Sequence, residues 1–201
     1  MNVARTRVHL IRHGEVVTAG PPRYNGHADV ALSELGRQQY RAMDERLAAV
    51  PLTAIYSSDL TRCVWGAELI ASRHALTPQL TPQLRELNIG DWEGLTWDEI
   101  KSRWPREWAA RLADIANYRV PGGESTRDLH DRAVPKLREI VARHPGEEVL
   151  IVGHGGMNRT LLLDAMGAPL SALFRIEQHY CCLNIVDYFT DGNPVVKLLN
   201  G

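Results

Sequence analysis

The 201-residue chain has almost no cysteine, almost no lysine and no long apolar run. Its three cysteines are Cys63, Cys181 and Cys182. Adjacent cysteines such as Cys181 and Cys182 rarely bridge, and no C-x-x-C occurs, so neither a disulfide framework nor a zinc or dithiol motif is expected. No segment approaches the roughly 18 apolar residues that a membrane span needs. The amino-terminal MNVARTRVHLIRHGE holds only a short strand-like run broken by His9, too little for the core of a signal peptide. The expectation is a reduced, soluble, cytoplasmic protein without a membrane partner. Neither sign of charge dominates, with 23 Lys plus Arg against 24 Asp plus Glu and a net charge of −1. A surface-wide polycation for nucleic acid is therefore not expected. No Gly-Lys pair occurs, which excludes a Walker-type nucleotide loop.

What is present fits one globular domain spanning 1–201, with 44% apolar and 23% charged residues. Lysine occurs only at Lys101, Lys136 and Lys197, so nearly every cation is arginine, the residue that grips phosphate and carboxylate with two prongs. The chain alternates strand and helix patterns. Val8–Ile11 reads as a strand entering Arg12-His13-Gly14, and Gly20-Pro21-Pro22 with Asn25-Gly26 reads as loop. Ser33 reads as the N-cap of a helix whose face is Leu35, Ala42, Met43, Leu47 and Val50. Ala54–Tyr56 is a second strand, leading through Ser57-Ser58 into a helix with Leu60, Val64, Ala67, Ile70 and Ala71 inward. Residues 83–123 hold four of the five tryptophans and read as an excursion covering something. Ser125 and Asp128 form a capping box for a long helix with Leu129, Ala133, Leu137, Ile140 and Val141 inward, which Pro135 should kink or interrupt. Val149–Val152 is a buried strand running into Gly153-His154-Gly155-Gly156 and a helix over Met157–Met166. Cys181–Tyr188 and Val195–Leu199 close the chain as strands around the turn Asp191-Gly192-Asn193-Pro194. The alternation predicts a three-layer α/β/α fold with a mostly parallel central sheet.

Ligands in such folds bind beyond the carboxyl ends of the strands. Two strands end alike, in Arg12-His13-Gly14 and in Gly153-His154-Gly155. A third ends in Ser57-Ser58 and feeds a helix start bearing Arg62, itself attractive to an anion. A single histidine beside a strand is commonly a structural residue, and an arginine in a first helical turn is commonly a surface charge. Three strand-end signals in one chain point instead to a phosphate site.

The stretches RHGE at 12–15, SSDLTR at 57–62, LRELNIGDWEG at 84–94, GGES at 122–125 and VGHGG at 152–156 resemble the histidine phosphatase superfamily, in its phosphoglycerate-mutase-like branch. The resemblance spans the whole chain. It implies that His13 becomes phosphohistidine, that Arg12, Arg62 and His154 hold the phosphoryl oxygens, that Asn25 adds a neutral donor, and that Glu86 is the proton donor. It also implies pocket-shaping or substrate-contacting roles for Gly14, Glu15, Gly26, Ser58 and Gly155. The chemistry agrees with these roles. A neutral imidazole suits attack on an anionic ester, and guanidinium groups stabilise the equatorial oxygens as charge develops. No cofactor is expected. No metal is expected either, since no H-E-x-x-H or carboxylate-rich loop occurs, and His9 with His13 is a weak pair on a strand. His27 is a candidate substrate contact, and Trp92 and Trp97 are candidates either for the mouth of the site or for core filling.

The partner implied is a small phosphate monoester. A mutase resembling this family carries a tail over the site, whereas here the sequence stops just after its last predicted strand, which favours hydrolysis. Gly26-His27-Ala28, Leu32–Gly36 and Phe174–Gln178 are similar to α-ribazole phosphatases and, in part, to broad-specificity phosphatases. A mutase, or an inactive phospholigand-binding module, are the other readings. The assignment predicts a bell-shaped pH dependence of kcat/KM, with neutral His13 on the acid limb and protonated Glu86 on the alkaline limb. A flat profile would exclude it.

Overall fold

The computed structural model describes residues 4–18, 20–190 and 192–201. Asp191, the first residue of the predicted final turn, and the first three residues of the amino-terminal stretch lie outside them. A six-stranded sheet is present among the described residues, in the order β3-β2-β4-β1-β5-β6. Its strands are β1 (Arg5–Arg12), β2 (Leu52–Ser57), β3 (Gln79–Leu80), β4 (Glu148–Gly153), β5 (Leu183–Phe189) and β6 (Pro194–Leu198). Strands β3, β2, β4 and β1 are mutually parallel, and β5 and β6 close one edge antiparallel. The short β3 carries no apolar alternation, and its sequence shows no strand.

Strand alternation sorts the sheet's side chains into two cores. Helices α1 (Glu34–Leu47) and α2 (Thr61–Arg73) cover the face that carries Ile11, Ile55, Leu150 and Val152. Helices α5 (Thr126–Arg143) and α6 (Gly155–Ala165) cover the face that carries Leu10, Tyr56, Val149 and Ile151. The architecture is therefore three layers, α/β/α, around a mostly parallel sheet, as the alternation predicts. Between α2 and α5 the chain makes the Trp-rich excursion, with α3 (Trp97–Arg103) and α4 (Pro105–Ala113). Trp92 is part of the core there, only 1% exposed.

Ser33 caps α1 by accepting the Gly36 N–H, and the Ser125/Asp128 capping box is complete at α5. The buried stripe of α1 is rotated from the predicted one. It runs through Gly36, Tyr40, Met43, Asp44 and Leu47, and leaves Leu35 and Ala42 exposed. Hydropathy misses two members of this stripe. Gly36 packs its backbone against the Gly14–Glu15 backbone, and Asp44 is buried because Arg73 pairs with it at 2.6 Å. Val64 of α2 is likewise only half-buried, while Arg62 and Cys63 turn inward. Pro135 does not interrupt α5, which runs unbroken from Thr126 to Arg143. Both Pro135 and Asp131, whose carbonyl loses its intrahelical donor, lie on the exposed side, so water can serve that carbonyl.

The centre of the sheet should be the least tolerant part of the molecule. Ile151 in β4 is fully buried between two parallel neighbours. Ile151→Ala should cost about 2–5 kcal/mol, read as a lower urea midpoint at constant slope, and a cost well under that range would contradict this packing.

Candidate active site

The three strand ends singled out in the sequence lie side by side. In the parallel register Arg12 faces Gly153, and Ser57 faces Val152. The pairing continues one residue past the strands, with the His13 N–H donating to the Gly153 carbonyl at 2.9 Å and the Ser58 N–H to Val152 at 3.0 Å. His13 and His154 are therefore neighbours, their ring centroids 5.2 Å apart and nearly edge to face. His13 Nδ1 lies 2.8 Å from the Gly14 carbonyl, which can only accept. Nδ1 must therefore carry the proton, and the lone pair is left on Nε2. His154 is fully buried behind His13, with Nε2 2.9 Å from the Ser58 hydroxyl and 3.4 Å from Cys63 Sγ.

Burial is the main force holding both rings neutral, pushing their pKa values well below the ordinary imidazole range. Repulsion from Arg12 and Arg62 adds to this at His13, and from Arg62, His13 and Arg12 at His154. Neither arginine forms an ion pair among the described residues. Arg62, with 0% of its surface exposed, donates to the carbonyls of Ala28 and Gly26, each at 2.7 Å. Arg12 donates to the Gln178 carbonyl at 2.6 Å and lies 4.0 Å over the Tyr180 ring. The Nε–H of each is buried without a protein partner. A buried orphan donor costs about 1–3 kcal/mol, and an oxyanion is the group that would satisfy both.

Glu86 reaches the site from the excursion. Its Oε2 accepts the Gly156 N–H at 2.8 Å, and its Oε1 accepts those of Met157 at 3.0 Å and Leu87 at 2.8 Å. Gly156 permits this approach, because a Cβ there would lie 2.6 Å from Oε1. Arg132 fixes the segment by donating to the carbonyls of Gln83, Arg85 and Glu86 while pairing with Glu124. These groups open on a cavity of about 250 Å³ whose wall includes Arg12, His13, Asn25, Gly26, Arg62, Glu86 and Gly155. A larger cavity, about 480 Å³, lies at the opposite end of the sheet against Thr6, Leu137 and Tyr188 and holds none of this chemistry.

Four expected contacts lie elsewhere than on the wall. Gly14 and Glu15 face α1: a Cβ at Gly14 would sit 2.4 Å from the Gly36 carbonyl, and Glu15 accepts the Ser33 hydroxyl at 2.8 Å. Ser58 and His154 are fully buried beneath the wall, bonded to each other. The amino end of α2 does attract an anion, but that anion is Asp29, which accepts the Thr61 N–H at 2.8 Å. His27 is turned away, its Nε2 2.9 Å from the Glu86 carbonyl. Trp97 lines the cavity, its ring 4.4 Å from that of Tyr24 and tilted by 51° to it, whereas Trp92 fills core. Arg23, Tyr24, Arg111 and Arg159 also line it and were not singled out in the sequence. Arg159 stands one helical turn beyond Gly155, a spacing that could have marked it; Arg111 carries no such signal. Among the described residues, no three His, Cys, Asp or Glu side chains are placed to hold a metal, and no helix is long and apolar enough to cross a membrane.

The fold and site define a phosphoglycerate-mutase-like α/β protein built around two histidines and two unpaired arginines. A model of the histidine phosphatase superfamily (branch 1) matches residues 8–201. The chain belongs to that superfamily, and it is a phosphatase. A metal-independent phosphoserine phosphatase of Arabidopsis thaliana is 35% identical over 79% of this chain and 68% of its own. A mycobacterial glucosyl-3-phosphoglycerate phosphatase superimposes with a TM-score of 0.89, at 27% identity over 98% of this chain and 99% of that one. The α-ribazole phosphatase of Shigella flexneri, at 24% identity and a TM-score of 0.88 over 97% of this chain and 96% of that one, shares the fold.

The buried neutral imidazoles link folding to pH. Unfolding returns His13 and His154 to the ordinary value of about 6.5. Below that pH the unfolded chain binds protons that the folded chain excludes, so stability is full above about 6.5 and is lost as pH falls toward the lowered folded values. The urea midpoint should thus drop between pH 7 and pH 5 and stay level between pH 7 and pH 8. A midpoint level across the lower interval would contradict the buried neutral pair.

Proposed function

We propose that this protein is a phosphomonoesterase that works through a phosphohistidine on His13, without a metal, on a small phosphorylated metabolite. The observation that carries the reading is the His13 tautomer, with its Nε2 lone pair at a cavity floor where two arginine Nε–H groups lack partners. Nε2 attacks phosphorus, and the P–N bond forms as the ester P–O bond breaks. Arg12 and Arg62 take the charge that develops on the equatorial oxygens, a role a metal fills elsewhere. Their effect is strengthened because Arg62 is wholly buried and His13 nearly so. Glu86, on the cavity wall, gives a proton to the leaving alkoxide. A water then returns a proton to Glu86 and attacks phosphorus, the P–N bond breaks, and inorganic phosphate leaves. Asn25 and Gly155 line the same wall and suit contacts to the phosphoryl group. His154, behind His13, suits a supporting role through the ring contact.

The aromatic part of the wall, with Tyr24, Trp97, Phe174 and Tyr180, suits an apolar or aromatic leaving group, which keeps α-ribazole 5'-phosphate among the candidate substrates. The phosphoserine phosphatase relative makes a phosphorylated hydroxy-amino acid a second candidate. The three buried free thiols suit a reducing compartment such as the cytoplasm.

His13→Ala should abolish phosphate release from p-nitrophenyl phosphate while leaving thermal unfolding cooperative, and retained turnover would reject the covalent route. Quenched wild-type enzyme should carry acid-labile phosphate after exposure to labelled substrate. Assayed on α-ribazole phosphate, phosphoserine, 3-phosphoglycerate and p-nitrophenyl phosphate, it should release inorganic phosphate rather than return the group to a second hydroxyl. Because His13 is held neutral, the acid limb of kcat/KM for the free enzyme should lie well below pH 6.5.

A further inference from the structure

Asn25 and Gly26 line the cavity, and the segment 25–28 to which they belong is gripped from both sides. On one side Arg62 takes its carbonyls, those of Ala28 and Gly26 at 2.7 Å and that of Asn25 at 3.5 Å. On the other side a single carboxylate takes its N–H groups. Glu93 Oε1 accepts from Gly26 at 2.7 Å and from Ala28 at 3.1 Å, and Oε2 accepts from His27 at 3.2 Å. No contact joins Glu93 and Arg62 directly. The anion and the cation meet through the intervening peptide groups.

We propose that Glu93 is a positioning residue for the phosphatase reaction, orienting Arg62 and Asn25 through the peptides of Gly26, His27 and Ala28. Two features of the arrangement argue for this. Glu93 is fixed before it acts on the loop: it follows a short 3-10 turn over Gly90–Trp92 anchored by buried Trp92, and its own N–H donates to the Gly90 carbonyl at 3.0 Å. The same segments are joined again one step away, where the Gly94 N–H donates to the Tyr24 carbonyl at 2.7 Å and the Tyr24 N–H to Leu95 at 2.9 Å. The electrostatics give the indirect contact a purpose. A carboxylate paired directly with Arg62 would occupy the guanidinium edge and cancel its field at the phosphorus. A carboxylate relayed through peptide dipoles polarises two of the carbonyls that hold Arg62, those of Asn25 and Gly26, whose peptides carry the Gly26 and His27 N–H groups, yet leaves the Arg62 Nε–H free and its charge uncompensated.

The inference rests on the phosphatase reading, and the test separates the two. Full-length enzyme is assayed with p-nitrophenyl phosphate as wild type, Glu93→Ala and Glu93→Gln, with the folded fraction of each measured by circular dichroism. Wild-type enzyme without turnover would overturn the phosphatase reading itself. With wild-type turnover present, Glu93→Ala should lose about tenfold or more in kcat and shift KM by less than about threefold, because misaimed guanidinium donors act chiefly on the transition state. Glu93→Gln keeps an oxygen for Gly26 and Ala28 but sets an amide N–H₂ against His27, so its kcat should lie between the other two. Should Glu93→Ala not fold, Glu93→Gln decides alone, with a kcat about threefold below wild type expected at an equal folded fraction. Loss that only tracks the unfolded fraction, or more than half of wild-type kcat in every folded variant, overturns the proposal.

Discussion

The separation of the two histidines descends from one constraint, the parallel pairing of β1 with β4. Backbone hydrogen bonds fix which residue of one strand stands beside which residue of the other, and a slip of one residue would turn every side chain to the opposite face. Because Arg12 is level with Gly153, the next residue of each strand is a histidine, and the two rings meet at 5.2 Å. The strands are buried on both faces, so hydrophobic packing against α1 and α2 below and α5 and α6 above enforces the register. The placement of the two histidines is thus held by strands buried on both faces.

The second constraint is electrical. Two guanidinium groups and two imidazoles are packed together, with Arg62 and His154 wholly excluded from water. Charges of one sign in such a place repel, and the cost is limited in two ways. The imidazoles stay neutral, and the arginines are solvated by carbonyl groups of Gly26, Ala28 and Gln178 rather than by carboxylates. Carbonyl dipoles stabilise a cation without cancelling its net charge. The site keeps its positive field, and the protein bears that field as a local loss of stability.

Much of this was legible in the sequence because it depends on local chemistry. Strand cores, the Ser33 and Ser125 caps, and the strand-end histidines each announce themselves within a few residues. The alternation of elements then implies that strand ends converge, which places His13, Arg62 and His154 together. What was not legible depends on contacts distant in sequence. Asp44 reads as surface until Arg73, 29 positions away, is known to pair with it. Gly14 reads as a ligand-facing glycine until Gly36 is found packed against it. Pro135 reads as a break, but its position on the wet side of α5 makes it tolerable. Trp92 and Trp97, five residues apart with similar neighbours, take opposite fates, one core and one cavity wall, because only the direction of the excursion decides between them.

The two helix starts near the cavity show how the protein divides labour between dipoles and charges. A helix amino end is a ready anion site, and the expectation for α2 was that it would serve the phosphoryl group. Instead Asp29 occupies the first N–H of α2, and Glu86 occupies the N–H groups of Gly156 and Met157 at α6. Both helix ends therefore hold carboxylates of the protein itself, and each carboxylate fixes a loop: Asp29 directly follows the segment that Arg62 grips, and Glu86 belongs to the one that Arg132 grips. Partial charges of about half an electron suffice to anchor a loop, and the larger demand, charge spreading over three phosphoryl oxygens, falls to groups with a full positive charge and a planar fork. That division explains why the chain uses arginine rather than lysine at this site: an ammonium group could supply the charge, but its donors radiate from one nitrogen, whereas the planar guanidinium can hold loop carbonyls along one edge and aim its Nε–H at a ligand from another.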